Sequence, residues 1–391
     1  MPSTRRGFLA ACAVTTLAGC GALADGERDP PITCGPSEYD WPTFGHDPSR
    51  TSALGGRDLP PDDAPVRRLS HTGTTPDGGG SVDGGPVVDG GVAFVAGDVR
   101  VEARDAESGD RLWAFEDVDD GVGTSPALAC GALYVSTLNR TFALDAATGE
   151  RLWGGADVGV AGFDDTASPT VRDGTLFVPA AGVVAALDAE TGETRWTAPV
   201  DGGLAGVAVG DRAYAAAHTN DGGHLVAITP SGERWWRTDD LGELYTAPAV
   251  AGGTVYATSK RGRLSAVATA DGSVRWTQRI ADGVYEPPAV ADGRAFVSAG
   301  NGRFARALDA ETGESLWRAE TGPSASTPVV LGDEVLLGSA NRGVFLLDAA
   351  TGEVRRRIAD ERVGSVGSQP VVADGRLYYR LATNSDVYVM G

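Results

Sequence analysis

From about residue 86 to its end the chain is written in short apolar runs broken by Gly, Asp and Ser. Between residues 126 and 154 the runs are Pro126–Ala129, Ala132–Thr137, Thr141–Asp145 and Arg151–Gly154. Runs of this length, rich in β-branched and aromatic residues and bounded by turn formers, predict strands. The same order of runs returns about every forty residues, the period of a repeat architecture.

Two motifs keep that period. The first, Asp-Ala-x-Thr-Gly-Glu-x-x-Trp, runs from Asp145 to Trp153. It recurs at Asp105 to Trp113, Asp188 to Trp196 and Asp309 to Trp317, and without its Trp at Asp348 to Arg356. Weaker copies run from Thr229 to Trp235 and from Ala268 to Trp276. The second places an aromatic residue eight positions after a Pro, as in Pro86/Phe94, Pro126/Tyr134, Pro169/Phe177, Pro248/Tyr256, Pro288/Phe296 and Pro370/Tyr378. Gly206/Tyr214 lacks the Pro and Pro328/Leu336 lacks the aromatic, which brings the copies to eight. In the first motif Gly supplies a positive φ, while Asp and Thr bond to the backbone, so it predicts a tight hairpin between the third and fourth strands. The periodic Trp residues are expected to pack between units rather than to carry chemistry.

Four short strands per repeat of this length predict a blade, and eight blades an all-β, eight-bladed β-propeller of four-stranded antiparallel sheets. The last copy holds only three strands, Pro370–Val372, Arg376–Tyr379 and Asp386–Met390. Val66 to His71 is strand-like but has no blade of its own. It is expected to complete the last blade and close the ring, removing two open sheet edges.

The Asp-Ala-x-Thr-Gly-x-x-x-Trp repeat resembles the pyrroloquinoline-quinone-type (PQQ-like) propeller repeat, and the likeness covers about Trp41 to Gly391. Trp41-Pro42-Thr43-Phe44-Gly45-His46-Asp47-Pro48-Ser49-Arg50-Thr51 is similar to the segment that precedes the first blade in such proteins. The likeness extends to lipoproteins similar to the outer-membrane assembly factor BamB, which are scaffolds without a cofactor. It also extends to quinoprotein dehydrogenases, in which the ring holds the quinone over a calcium ion with an Asp as base. Alcohol-oxidising members of that group place an adjacent Cys-Cys disulfide by the cofactor, and this chain has no such pair. The resemblance therefore implies a fold firmly and an activity only by choice between two kinds of relative.

Composition narrows the setting. Of 391 residues 53 are acidic and 33 basic, a net charge of −20, and Lys260 is the only lysine. Acid excess with almost no Lys resembles a haloarchaeal protein, whose hydrated carboxylate surface keeps it soluble in salt. Nucleic acid is excluded as a partner, because nothing basic enough exists to displace counterions from phosphates. Ser3-Thr4-Arg5-Arg6-Gly7-Phe8-Leu9 resembles a twin-arginine export motif, and Leu17-Ala18-Gly19-Cys20 a lipobox. Residues 1–19 are thus expected to be a signal peptide, Cys20 the lipidated residue, 20–40 a tether and 41–391 the propeller. That places the protein at the extracytoplasmic face of the cell membrane. Cys34 and Cys130 are then the two thiols left, and in an exported chain they could pair. Asn139-Arg140-Thr141 is a permissive glycosylation triplet.

Candidate chemistry is sparse. Asp119, Asp120, Asp164, Asp165, Glu243 and Glu286 fall in the loops joining blades and could supply hard oxygen ligands; solvated surface carboxylates are the plainer expectation. His218, Asp221 and His224 lie close enough in sequence to grip a metal, or to form a polar turn. No nucleophile motif or phosphate-binding loop is present. Arg140, Lys260, Arg261, Arg303 and Arg342 are expected on the face that also carries the blade-joining loops, with Tyr245 and Tyr285. Asp89, Asp173, Asp292, Asp333 and Asp374 are expected on the opposite face. The Arg- and Tyr-bearing face, beside a central funnel, is the expected docking face. The expectation is a monomeric, non-catalytic scaffold for an envelope protein or surface ligand, with no cofactor. The alternative is a dehydrogenase of alcohols or sugars using pyrroloquinoline quinone (PQQ) with calcium.

Overall fold

The computed structural model describes residues 39–391 except 41, 57, 62, 71–83, 98–99, 119–120, 123, 161–166, 301, 324–325, 359–365, 367 and 382–385. It contains eight antiparallel four-stranded sheets built in chain order, one of which gains a fifth strand. Blade 2 is representative, with strands Ala127–Ala129, Ala132–Ser136, Thr141–Asp145 and Arg151–Ala156. First strands of neighbouring blades touch one another around an axis, and fourth strands form the rim. The eight-bladed propeller expected from the repeat is the observed fold.

Burial explains the composition of each strand. The second and third strands are covered on both faces, so Ala132–Ser136 and Thr254–Ser259 are buried throughout. Fourth strands are open to solvent, and Arg111–Phe115 and Val274–Arg279 expose most of their residues. The core is divided among the gaps between blades. One such layer joins Phe177, Val184 and Ala186 of the third blade to Val207, Ala215 and Val226 of the fourth.

The two turn types follow from the motifs. The turns between first and second strands hold positive φ at both central residues in Gly90-Gly91, Cys130-Gly131, Asp173-Gly174, Gly252-Gly253, Asp292-Gly293 and Asp374-Gly375, the geometry favoured in two-residue hairpins. In the Asp-x-x-Thr-Gly hairpins the Asp carboxylate accepts two backbone N–H bonds. Asp145 accepts from Ala147 at 2.9 Å and Thr148 at 2.8 Å, and Asp309 from Glu311 at 3.0 Å and Thr312 at 2.8 Å.

The ring closes as expected. Val66–Ser70 pairs antiparallel with Val387–Met390, and the eighth blade runs Val371–Ala373, Arg376–Arg380, Val387–Met390, Val66–Ser70 outward from the axis. One repeat marker is displaced. The sequence puts Trp235 in the series, but Trp236 occupies the place: it pairs with Ala227, is buried, and donates Nε1–H to the Thr269 carbonyl at 2.9 Å. Trp235 is 53% exposed, with the Arg212 guanidinium 4.9 Å from its ring centre. The hairpin from Thr229 to Glu233 is one residue shorter than that from Asp145 to Glu150, so the spacing from its start does not mark the Trp. The Gly-to-Trp spacing of four, as in Gly149 to Trp153, identifies Trp236 correctly.

Candidate functional site

The axis is not an empty bore. Residues 42–54, just before the closing strand, form a strap along the inner rim. Its carbonyls accept N–H bonds from first strands in ring order: Pro42 from Leu128 at 2.7 Å, Pro48 from Val209 at 2.6 Å and Ser49 from Val250 at 2.9 Å. Thr51 then accepts from Val290 at 2.9 Å, Ser52 from Val330 at 2.8 Å and Leu54 from Gly332 at 3.1 Å. Ala53–Leu54 becomes a parallel fifth strand beside Val329–Leu331. The remaining blades are reached otherwise. Thr43 Oγ1 donates to the Pro169 carbonyl, Gln369 joins Gly45 N–H to the Ser52 hydroxyl, and Asp40 accepts from Gly90 N–H.

Arg50 is the centre of this strap. It is 1% exposed, and donates from Nε to the Val207 carbonyl at 2.5 Å and from Nη2 to the Ser168 carbonyl at 2.6 Å. A buried guanidinium satisfied by carbonyls ties the strap to the third and fourth blades at once. Thr43, Arg50 and Gln369 link the strap to the starts of the first strands of the third and eighth blades, while its carbonyls bond the ends of the first strands, beside the first-to-second-strand turns. It therefore closes the axis at that end, and the blade-joining loops surround the other.

Of the residues expected on the docking face, several fall in two groups. Tyr245, Lys260 and Arg261 meet around Glu243: the Lys260 ammonium lies 3.9 Å and the Arg261 guanidinium 3.4 Å from its carboxylate. Lys260 Nζ sits 4.8 Å from the Tyr245 ring centre, and the His218 ring stacks on Tyr245 at 4.1 Å. A cavity of about 240 Å³ beside this group is lined in part by Asn220, Asp221, Asp240, Glu243, Arg261 and Arg263. Arg303 and Arg342 form the second group, on either side of Gly322. The Arg303 carbonyl accepts Gly322 N–H at 3.1 Å, and Arg342 lies so close that a Cβ on Gly322 would be 2.9 Å from its Cδ. Tyr285, 48% exposed, stands on the next blade at the position equivalent to Tyr245, three residues before the blade's Pro. Arg140 lies apart from both groups on blade 2, in a turn whose Thr137 hydroxyl accepts its N–H at 3.1 Å.

Other candidates separate. His218 pairs across the sheet with Gly223, while His224 pairs with Ala217, so the two imidazoles point to opposite faces of the fourth blade. His224 is buried, and burial first, then the nearby Arg237 charge, holds its imidazole below the ordinary histidine range. Among the described residues no three His, Cys, Asp or Glu side chains gather as a metal site. Glu286 accepts from the Thr327 hydroxyl at 3.3 Å, and Asp119, Asp120, Asp164 and Asp165 lie outside the described residues. Cys130 is disulfide-bonded; Cys34 and Cys20 lie outside the described residues. Asn139 is exposed. The opposite, Asp-bearing face is balanced by arginines: Arg195 holds Asp188 at 2.8 Å, and Arg355 holds Asp333 at 2.9 Å and Glu334 at 3.1 Å.

The family described as outer membrane protein assembly factor BamB matches this sequence over residues 63–221, 139–243 and 221–389. The chain belongs to that family. Among solved structures, BamB from Moraxella catarrhalis is similar at 19% identity and a TM-score of 0.65, covering 83% of this chain and 97% of that one. The quinohemoprotein alcohol dehydrogenase from Comamonas testosteroni is similar at 18% identity and a TM-score of 0.70, covering 90% and 80%. The computationally designed Ika8 protein is similar at 14% identity and a TM-score of 0.67, covering 80% and 97%. At these identities the likeness is one of fold. No curated protein matches the chain. Among the described residues no helix is long and apolar enough to cross a membrane. The BamB-family propeller is thus a rigid ring with one strapped end and one loop-bearing end.

Proposed function

We propose that the protein is an extracytoplasmic scaffold, held at the cell membrane by lipid on Cys20, that binds another envelope protein through its loop-bearing face. The observation that carries this reading is the pair Tyr245 and Tyr285. They occupy equivalent positions on adjacent blades, are 38% and 48% exposed, and Tyr245 lies beside Lys260 and Arg261. Tyr and Arg are the residue types that anchor protein interfaces, and a rigid ring holds them at little entropic cost on binding. Membership of the BamB family supports a partner of the protein kind. The acidic, lysine-poor composition fits a halophilic cell, and a monomeric ring leaves the face free.

A quinone over calcium would need a set of hard oxygen ligands near the axis, and the described residues do not assemble one: Glu243 is engaged by Lys260 and Arg261, and Glu286 by Thr327. No catalytic step is assigned through that group. Photo-crosslinking residues placed at positions 245 and 285 test the scaffold reading, with Leu316 on the rim as the control position. The reading requires the first two to capture one and the same membrane-associated protein in molar salt, and the control not to. Equal capture from all three positions overturns it, as does saturable binding of PQQ with calcium accompanied by dye-linked alcohol or sugar oxidation. Cys20→Ala should release the protein from membranes; retention in high salt would remove the lipid anchor from the proposal.

A further inference from the structure

The strap behaves as a ligand built into the chain. We propose that the inner strand edges around the axis form a binding site for a turn-rich peptide strap, occupied in cis by residues 42–54. This goes beyond the scaffold reading, since it concerns the strapped end of the ring and stands whether or not Tyr245 and Tyr285 contact a partner.

A first strand has a neighbour on one side only, so its other edge presents unpaired N–H groups to the axis. The repeat places one such donor at the same point in blade after blade. Leu128, Val250, Val290 and Val330 each lie two residues after the blade's Pro, and each donates to a strap carbonyl. A peptide laid across these edges gains main-chain hydrogen bonds whatever its sequence, as in strand addition, with Ala53–Leu54 as the part that pairs as a strand. The acceptors advance from Pro42 through Leu54 as the donors advance from blade 2 to blade 7. The occupant therefore lies in one direction, and Ala53–Leu54 pairs in parallel with its edge.

Side chains add selectivity. Arg50 fills a pocket of backbone carbonyls from Ser168 and Val207. Gly45 is required because a Cβ there would lie 2.9 Å from Arg50 Cα, at φ +76°. His46, Arg50 and Ser52 hold φ values of 68°, 56° and 53°, a region non-glycine residues seldom adopt unless their surroundings impose it. The strap's conformation is held both by the ring and by its own turns, in which Ser52 N–H donates to the Gly45 carbonyl at 3.0 Å and Arg50 N–H to the Asp47 carbonyl at 2.9 Å. Gly55 and Gly56, which follow it, are exposed, and a Cβ on either would meet nothing within 4 Å, which suits a hinge about which the strap can leave without moving the closing strand. The chemistry that fits the site is a turn-forming segment with a glycine and an arginine spaced as Gly45 and Arg50 are.

Native-state hydrogen exchange on the full chain tests this. The amides of Leu128, Val209, Val250, Val290 and Val330 should exchange in step, at least tenfold faster than the second-strand amides of Val135 and Val255. Arg50→Ala should accelerate all five together, again about tenfold, and leave the second-strand amides unchanged. A fluorescent peptide of the sequence from Trp41 to Leu54 should then bind the R50A chain saturably and fail to bind the wild type, with a scrambled peptide binding neither. If R50A does not fold, the wild-type exchange pattern alone decides. Exchange of the five amides only through global unfolding would make the strap an ordinary core element and overturn the proposal. So would five amides opening in R50A without peptide binding.

Discussion

The smallest unit that makes this ring is a Trp set against a Gly. Trp113, Trp153, Trp196, Trp236, Trp276 and Trp317 each lie over the hairpin Gly of the following blade: Gly149, Gly192, Gly232, Gly272, Gly313 and Gly352. The indole N–H completes the contact, as when Trp153 donates to the Ala189 carbonyl at 3.0 Å, a carbonyl that also accepts the Tyr134 hydroxyl at 3.1 Å. Gly313 has φ +75°, and a Cβ there would stand 2.7 Å from the Trp276 ring. Gly313→Ala should therefore destabilise the protein by about 1–2 kcal/mol for the left-handed backbone alone, and more for the displaced indole. Chemical denaturation gives the value; no loss would mean the ring contact is loose. The eighth blade has no Trp, and Arg67 stands in its place. It pairs with Val389 as Trp113 pairs with Ala103, and its Nη2 donates to the Ala106 carbonyl of the first blade. Tyr378 beside it keeps a buried hydroxyl with no partner. Arg67→Trp should thus be accepted with less than about 1 kcal/mol of loss, since it restores the aromatic pair of the first six blades. A large loss would show that the charge of Arg67, rather than its reach, holds the junction.

At the scale of the element, the hairpins carry the acid response. Backbone N–H bonds, first from Thr312 in Asp309 and from Thr351 in Asp348, hold these carboxylates low, Asp348 at about 2. Asp105 is lowered first by Ser108 N–H. A carboxylate lowered in the folded state contributes stability above its unfolded value, near 3.9, and loses it as pH falls through the folded one. Melting temperature should therefore drop between about pH 4 and pH 2, and less steeply in Asp348→Asn. His224 acts in the same direction but at higher pH. Its folded value is depressed, chiefly by burial, so stability begins to fall as pH drops below the unfolded value near 6.5. The substitution His224→Gln should flatten the profile between about pH 6.5 and 5; parallel profiles would mean that Asp201 and Asp239 already compensate the charge. These hairpins were legible in sequence because their bonds are local: the Asp, Thr and Gly that build each one lie within five residues. Trp236 was missed where one hairpin lost a residue. The segment from Trp41 to Thr51 was recognised by its likeness, but its course along the axis was not. It is held mainly by backbone carbonyls, which leave no side-chain pattern that says where they bond. The loop residues Lys260 and Arg261 were expected beside the blade-joining loops, but their shared partner Glu243 depends on how two blades meet, and no local spacing encodes that.

For the whole molecule, the weak point of a ring is its seam. Seven junctions join blades that follow one another in sequence, whereas the junction from the eighth blade to the first depends on a strand brought from the N-terminal side. The seam is correspondingly rich in interactions. Leu69 is 2% exposed in a layer with Val95, Val387 and Val389. The Ser70 hydroxyl bonds Glu102, which is fully buried and paired with Arg104 at 3.0 Å and Arg100 at 3.3 Å. Burial pushes the Glu102 carboxyl up, but the bonds from Arg104 and Ser70 and the two arginine charges outweigh it and keep it ionised. Arg380 adds a bond from its Nη2 to the Ala96 carbonyl at 3.1 Å. The closing strand therefore supplies both apolar area and a partner for a buried charge, and its loss would expose the outer edge of Val387–Met390 in the eighth blade and the facing layer of the first while leaving Glu102 one bond short. Leu69→Asp introduces a carboxylate with no partner into that layer, a change that costs several kcal/mol, whereas Leu112→Asp alters a rim position already 53% exposed and should cost less than about 0.5 kcal/mol. If ring closure holds the propeller together, L69D should lower the denaturation midpoint sharply and bring early cleavage by proteases at both the eighth and first blades, while L112D behaves as wild type. Equal midpoints for the two variants would mean that each blade stands on its neighbours alone and that the seam contributes little.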